Sequence, residues 1–125
     1  MRALLLAIAV TGCAVPRAVA DDRDELAAYT AGRTAGEPQR CVPIINSSDG
    51  LRAVDRRTVV YRSGDTNWVN RLEHDCPGLR PLATLIVEPI GNRYCRGDHV
   101  RALEAGGAPR PVCVLGSFTP YRPRD

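Results

Sequence analysis

Thr58-Val-Val-Tyr-Arg62 and Asn67-Trp-Val-Asn-Arg-Leu72 decide the fold of this chain. Both runs are rich in β-branched and aromatic residues, which favour strands. Ser63-Gly-Asp-Thr66 lies between them and carries the Gly-Asp pair of a tight turn. The stretch therefore predicts a β-hairpin. It runs on to Cys76, through which a disulfide would connect other strands to the hairpin.

Strand alternation predicts that the side chain of Asn70 is buried. Along the second strand Trp68, Asn70 and Leu72 share one face, and the alternate residues share the other. If the tryptophan and the leucine face the core, the amide is buried with them. A buried amide needs hydrogen-bond partners, because leaving it unsatisfied costs about 1–3 kcal/mol. Asn70 is therefore predicted to be a structural hydrogen-bonding residue rather than a ligand group.

The rest of the chain alternates short strands with turns, after one helix. Residues 21–31 are predicted to be helical, because Asp22 and Glu25 have the spacing of a capping box. Residues 82–87 are almost continuously apolar, which predicts a central strand covered on both faces. The other predicted segments are strands at residues 41–45 (an edge strand, because of Pro43), 51–57, 93–95, 99–103 and 111–118, loops at 33–40 and 104–110, and a tail at 119–125.

Short strands separated by turns every 8–12 residues or so predict a mainly β fold. The expected arrangement is a small barrel or sandwich of antiparallel strands with an N-terminal helix. Residues 21–125 are expected to be a single domain.

Residues 1–20 have the pattern of an export signal. Arg2 precedes an apolar run that is too short to span a bilayer. Cleavage after Ala18-Val19-Ala20 would leave a chain that starts at Asp21. Alternatively, Val10-Thr11-Gly12-Cys13 fits a bacterial lipoprotein box, with residues 1–12 as the signal, Cys13 as the lipidated residue and 14–20 as a tether. Either route predicts a periplasmic or cell-envelope protein without a transmembrane span in its mature chain.

The charge of the chain is nearly balanced. Its 17 basic residues are all arginines, and Arg2 and Arg17 lie in the predicted signal, which leaves 15 against 14 acidic residues. A nucleic-acid-binding domain needs a much stronger positive field. Nucleic acid is therefore not expected as a partner.

Four cysteines remain when Cys13 is set aside, and an even number in a small exported domain predicts two disulfides. The four are Cys41, Cys76, Cys95 and Cys113. They lack the close Cys-x-x-Cys pairs of structural zinc sites. Three pairings are open, and loop-closure entropy does not separate them. We expect Cys41–Cys113 and Cys76–Cys95, because the first and last strands meet when a sheet closes.

Two histidines and two aspartates form the candidate constellation for metal chemistry. His74 and Asp75 precede one cysteine of the second expected disulfide, and Asp98 and His99 follow the other. That disulfide would bring the four side chains together around one divalent cation. The alternative is that the histidines lie in surface turns and that Asp98 accepts a hydrogen bond within its own turn.

The sequence carries no Gly-rich phosphate loop, nucleophile elbow or dinucleotide fingerprint, and no cofactor is expected. A reactive Cys76 beside His74 is disfavoured by the even set of cysteines. Arginines alternate with tyrosines at Tyr61-Arg62 and Arg93-Tyr94, which indicates either a saccharide-binding face or a solvated surface.

Several short motifs together give the chain a family resemblance. They are Gly12-Cys13, Leu26-Ala-Ala-Tyr29 followed by Ala35-Gly-Glu-Pro38, Cys41, Cys76-Pro-Gly-Leu79, Cys95-Arg-Gly-Asp98 and Cys113. On these residues the chain resembles a family of small exported proteobacterial proteins, many of them predicted lipoproteins, to which no activity is assigned. The resemblance implies lipidation of Cys13 and supplies no catalytic residue.

These observations favour a non-enzymatic module of the cell envelope. It would bind another envelope protein or a cell-wall component, or have a structural role. One alternative is a small metal-dependent hydrolase that uses His74, His99, Asp75 and Asp98. Another is an inhibitor-like module that exposes an apolar or aromatic patch.

Overall fold

A computed structural model of the protein describes residues 7–12, 22–45, 50–103, 107–108 and 110–124. One helix, α1, spans Asp22–Thr30. The strands are β1 (Arg33–Ala35), β2 (Cys41–Pro43), β3 (Arg52–Asp55), β4 (Thr58–Ser63), β5 (Thr66–Arg71), β6 (Thr84–Glu88), β7 (Arg93–Cys95), β8 (His99–Leu103), β9 (Cys113–Val114) and β10 (Phe118–Pro123).

The strands form three antiparallel sheets. Their orders are β1-β10-β5-β4-β3, β2-β7 and β6-β8-β9. The predicted mainly β fold with an N-terminal helix is confirmed. Within the described ranges the sheets stay open and do not close into a barrel.

The predicted hairpin forms the centre of the five-stranded sheet. β4 and β5 pair in register up to Ser63 and Thr66, so the loop has only two residues, Gly64 and Asp65. Gly64 has a φ of +59°, and a left-handed first loop residue is the requirement of a type II′ turn. Such a turn matches the right-handed twist of the flanking strands. The Gly-Asp pair therefore fixes the register of the hairpin.

One face of this sheet carries the core. Five buried side chains share the face: Val59, Tyr61, Trp68, Asn70 and Phe118. The two smaller sheets cover it with Val42, Tyr94 and Val100, which belong to the same apolar cluster. Tyr61 and Tyr94 meet edge to face with ring centroids 5.3 Å apart. The three sheets thus share a single core.

Asn70 is buried in this core, and both ends of its amide are hydrogen-bonded, as predicted. Its Nδ2 donates to the carbonyl of Gly116 at 2.7 Å, and its Oδ1 accepts from the backbone N–H of Gly116 at 2.8 Å. A Cβ at residue 116 would overlap the carbonyl oxygen of Arg71, so glycine is required there. The amide therefore holds the segment between β9 and β10 against β5.

The prediction of a central strand at residues 82–87 is wrong. β6 begins at Thr84 and, of the described strands, pairs only with β8, which makes it an edge strand. Leu85 and Val87 pack against the core, whereas the alternate residue Ile86 points to the other face of the sheet. The apolar run was misleading because only one of its two faces is covered by the core.

The predictions for the C-terminal part are also corrected. Residues 111–118 contain the two-residue β9 and the first residue of β10, and the predicted tail at 119–125 instead forms most of β10. The carbonyl of Pro120 accepts from the N–H of Gly36 at 2.8 Å, beyond the end of β1. Because the N–H and C=O of a residue in an antiparallel strand point to the same side, the N–H that proline lacks would face Gly36. Pro120 therefore removes no hydrogen bond between β10 and β5, and a proline is compatible with this position of the strand.

Two disulfides are present, as predicted, but the predicted pairing is wrong. Cys41 bonds to Cys95, and Cys76 bonds to Cys113. β7 pairs with β2 rather than with β6, and this register places Cys41 directly opposite Cys95. The first and last described strands do meet, but they are β1 and β10, which contain no cysteine.

We predict that Asn70→Ala lowers the free energy of unfolding by about 2–5 kcal/mol. The substitution leaves the buried N–H and C=O of Gly116 without partners, and each such group costs about 1–3 kcal/mol. Urea denaturation followed by the fluorescence of Trp68 measures the change. Asn92→Ala, at an exposed asparagine, is the control and should change stability by less than about 0.5 kcal/mol. Equal stability of the two variants would contradict the structural role of Asn70.

Candidate functional site

The outer face of the five-stranded sheet, which points away from the core, lies under α1. The register places Thr58, Val69 and Arg71 on this face, with Thr58 directly opposite Arg71. Asn67 has the same orientation, is buried, and donates from Nδ2 to the carbonyl of Tyr29 at 2.9 Å. This hydrogen bond holds the last turn of α1 on the sheet.

A groove of about 210 Å³ lies between α1 and the outer face. Its apolar part is made by Leu26 and Val69. The other lining residues carry hydroxyl groups or a positive charge: Thr58, Ser117, Thr119, Tyr121 and Arg71. The volume is below the roughly 300–1,000 Å³ of pockets that enclose a whole small ligand. The groove therefore fits part of a larger molecule, such as one sugar ring or one side chain.

Two polar groups of this groove have no partner within the described residues. The Oγ1 of Thr58 is shielded from solvent and makes no hydrogen bond there. The side chain of Arg71, across the ladder from Thr58, is exposed and forms no ion pair in the described part of the chain. Because this hydroxyl is shielded, a molecule in the groove does not reach it, and the exposed Arg71 is the group that would pair with an anionic ligand.

Two further arginines extend the positive charge of the outer face. Register places Arg52 and Arg62 on the same face as Arg71. Together with Gly50 and Gly64 they line a second concavity of about 240 Å³. Both arginines are exposed, and neither has an ion-pair partner among the residues that the structure describes. The outer face thus combines a groove with three exposed guanidinium groups.

The four residues of the predicted metal site do not converge. His74 and Asp75 are exposed in the loop after β5, and His99 is exposed on β8. Asp98 is buried, and its Oδ2 accepts from the backbone N–H of Cys95 at 2.7 Å. This bond confirms the alternative interpretation of Asp98 as a residue that stabilises its own turn. In the described part of the chain, no group of three or more His, Cys, Asp or Glu side chains could hold a metal ion.

The corrected disulfide explains why these side chains stay apart. Cys76 bonds to Cys113, which lies opposite Val100 on β8. Val100 is buried in the core, so the side chain of the adjacent His99 points to the other face of the sheet. The disulfide and His99 therefore lie on opposite faces of the three-stranded sheet.

The two tyrosines of the Tyr-Arg pairs are buried in the core, at 0% exposure for Tyr61 and 8% for Tyr94. The phenol oxygen of Tyr61 accepts from the backbone N–H of Ile45 at 3.2 Å. Arg62 and Arg93 are exposed. The interpretation of these pairs as an aromatic saccharide-binding face is therefore wrong, and only the arginines belong to the surface.

The sequence did not predict the groove, although strand alternation predicted that the residues of one of its walls share a face. Alternation in β5 puts Val69 and Arg71 on the face opposite to Trp68, as the structure shows. The second wall depends on β10, whose prolines predicted a tail. The position of α1 depends on Asn67, and a single polar residue in a strand does not identify the helix that packs on it.

The structure describes only residues 7–12 of the predicted export signal. Residues 7–12 are exposed and form neither helix nor strand, and Cys13 and the Ala18-Val19-Ala20 site lie outside the described residues. Among the residues that the structure describes, no helix has the length and apolar character needed to cross a bilayer.

Fold and groove together define the class of this protein, a small β protein cross-linked by two disulfides with a polar groove beneath its helix. The sequence profile of a family of unknown function, DUF6491, matches residues 1–124, and the chain belongs to this family. No curated protein and no solved structure matches the chain. The expectation of a family without an assigned activity is confirmed.

We predict that the protein loses stability as the pH rises above about 10. Burial, and to a smaller extent the neighbouring Tyr61, raises the pKa of Tyr94 above its usual value of about 10. The folded state therefore holds the phenol proton more tightly than the unfolded state. This contribution to stability is complete below the pKa of the unfolded chain and is lost as the pH rises through the pKa of the folded chain.

Thermal unfolding from about pH 8 to pH 11, with short incubations that preserve the disulfides, measures this effect. Tyr94→Phe should flatten the fall in melting temperature above about pH 10, whereas Tyr29→Phe serves as the control. A fall that is as steep in Tyr94→Phe as in the wild type would exclude this tyrosine as its source.

Proposed function

We propose that the protein is an exported, non-enzymatic binding module of the cell envelope, and that its groove holds a carboxylate-bearing part of a cell-wall component. Arg71 carries the proposal, because this exposed cation of the groove forms no ion pair within the described residues. A carboxylate is matched to it, since carboxylates pair with a guanidinium through charge-assisted hydrogen bonds.

Export is supported by the signal-like residues 1–20 and by the disulfides. Disulfides persist in oxidising compartments such as the bacterial periplasm and are rare in the cytosol. Lipidation of Cys13 would hold the domain at a membrane surface, whereas cleavage after Ala20 would release it. The intact mass of the protein from its own cells separates these routes, because one leaves an acylated Cys13 and the other an unmodified Asp21. An unprocessed Met1 would oppose export.

The composition of the groove supports binding rather than catalysis. Its lining residues are two apolar side chains, four hydroxyl-bearing side chains and one arginine. None of these supplies the general base that a hydroxyl nucleophile needs. The residues of the alternative hydrolase site belong to no cluster of side chains, within the described part of the chain, that could hold a metal ion. The apolar part of the groove can contact a sugar ring or a methyl group while Arg71 pairs with the anion.

The direct test uses soluble muropeptides, the disaccharide-peptide fragments released from a bacterial cell wall, titrated into the purified protein by calorimetry. We expect saturable binding to the wild type. Arg71→Gln should weaken it at least tenfold, since a hydrogen bond to a charged group contributes about 1.5–3 kcal/mol. Arg80→Gln, at an exposed arginine outside the groove, is the matched control.

Two further changes locate the contact. Amidation of the muropeptide carboxylates should weaken binding to the wild type but should have little further effect on Arg71→Gln. Thr58→Val should leave both binding and the melting temperature unchanged, because the hydroxyl is shielded from a molecule in the groove and has no partner among the described residues. Absence of binding, or equal affinities of wild type and Arg71→Gln, would refute this function.

A further inference from the structure

Among the residues that the structure describes, β6 has a free hydrogen-bonding edge. It pairs with β8 on one side, and in the described part of the chain no strand or backbone hydrogen bond reaches its other side. The strand reads Thr84-Leu-Ile-Val-Glu88, with no proline and no basic residue. Such an edge is a template for pairing with another strand unless something blocks it.

The other described edges carry features that discourage pairing. β1 has three residues and begins with Arg33. β3 has an irregular register between Ala53 and Asp55. β2 ends with Pro43, β7 has three residues and begins with Arg93, and β9 has only two residues. Short length, charge, proline and irregularity are the usual means by which proteins protect sheet edges. β6 has none of these protective features except Glu88 at its end.

The sequence around β6 is nearly symmetric about Ile86. Exposed apolar residues lie four positions before and four positions after it, Leu82 at 102% and Ile90 at 80% relative exposure. They flank a strand of five residues, about 17 Å long, so they do not touch each other within one copy. Two such strands paired antiparallel about Ile86 would bring the start of each β6, which Leu82 precedes, close to the end of the other, which Ile90 follows.

We propose that two copies of this chain pair through β6 and form one continuous six-stranded sheet. The pairing is isologous, because an antiparallel contact of identical strands has a two-fold axis. Ile86 faces its own counterpart at the axis, and Leu85 faces Val87 of the second copy. Each Glu88 faces Thr84 of the second copy, so no like charges are opposed. The contact is on a different sheet from the groove and does not depend on the proposed ligand.

The interface is small, so the dimer should dissociate on dilution. Sedimentation of the purified full chain from about 1 to 500 μM should show a shift from one copy to two. Ile86→Lys places two positive charges together at the axis and should weaken dimerisation at least tenfold. Val114→Lys changes an exposed apolar residue on β9, at the opposite edge of the same sheet, and should leave dimerisation unchanged.

A charge exchange tests the antiparallel arrangement. Leu82→Asp should weaken dimerisation, and adding Ile90→Arg to the same chain should restore it, because each aspartate then lies near an arginine of the other copy. Folding is not at risk at residue 82, which is exposed and has a φ of +68°, a conformation that aspartate adopts more readily than leucine.

Three results would overturn the proposal. One is a single-copy mass at all concentrations, including the case in which β6 instead captures an extended peptide of another protein. The second is a dimer that Ile86→Lys leaves intact. The third is a double variant that dimerises no better than Leu82→Asp alone.

Discussion

Two disulfides constrain three sheets that are each small. Cys76–Cys113 joins the loop after β5 to the three-stranded sheet, and Cys41–Cys95 closes the β2-β7 pair. The linked residues are 37 and 54 positions apart, and on the chain-entropy account each cross-link stabilises the fold by about 4 kcal/mol. Domains of this size are usually stable by about 5–15 kcal/mol in total. Either disulfide is therefore a large part of the stability.

The cross-links and the core lie on one side of the five-stranded sheet, and this leaves the other side available. Residues that alternate with the core residues of β4 and β5 form the floor under α1, and Asn67 holds the helix there. The helix covers the sheet without filling the space beneath it, so Leu26 and Arg71 line the same groove. The inner face thus contributes stability, and the outer face carries the polar groups suited to binding.

The sequence predicts the parts of this fold that depend on local chemistry. The hairpin follows from β-branched residues and a Gly-Asp turn, and the buried role of Asn70 follows from alternation. Its partner Gly116 does not, because 46 residues separate them and nothing local marks the contact. The disulfide pairing failed for the same reason: the pairing of β2 with β7 is a non-local choice. The prediction of a tail around Pro120 failed because the N–H that proline lacks weakens a strand only on the side where that N–H would bond to a neighbouring strand.

The identity of the linked cysteines tests this account most directly. Cleavage after arginine places the four cysteines on four different peptides, so digestion without reduction followed by mass spectrometry reads each bond unambiguously. The structure predicts two linked pairs, Cys41 with Cys95 and Cys76 with Cys113, and no reactive thiol at these four positions before reduction. A Cys41–Cys113 peptide, or four reactive thiols in a protein that is still folded, would contradict the arrangement of the three sheets around one core.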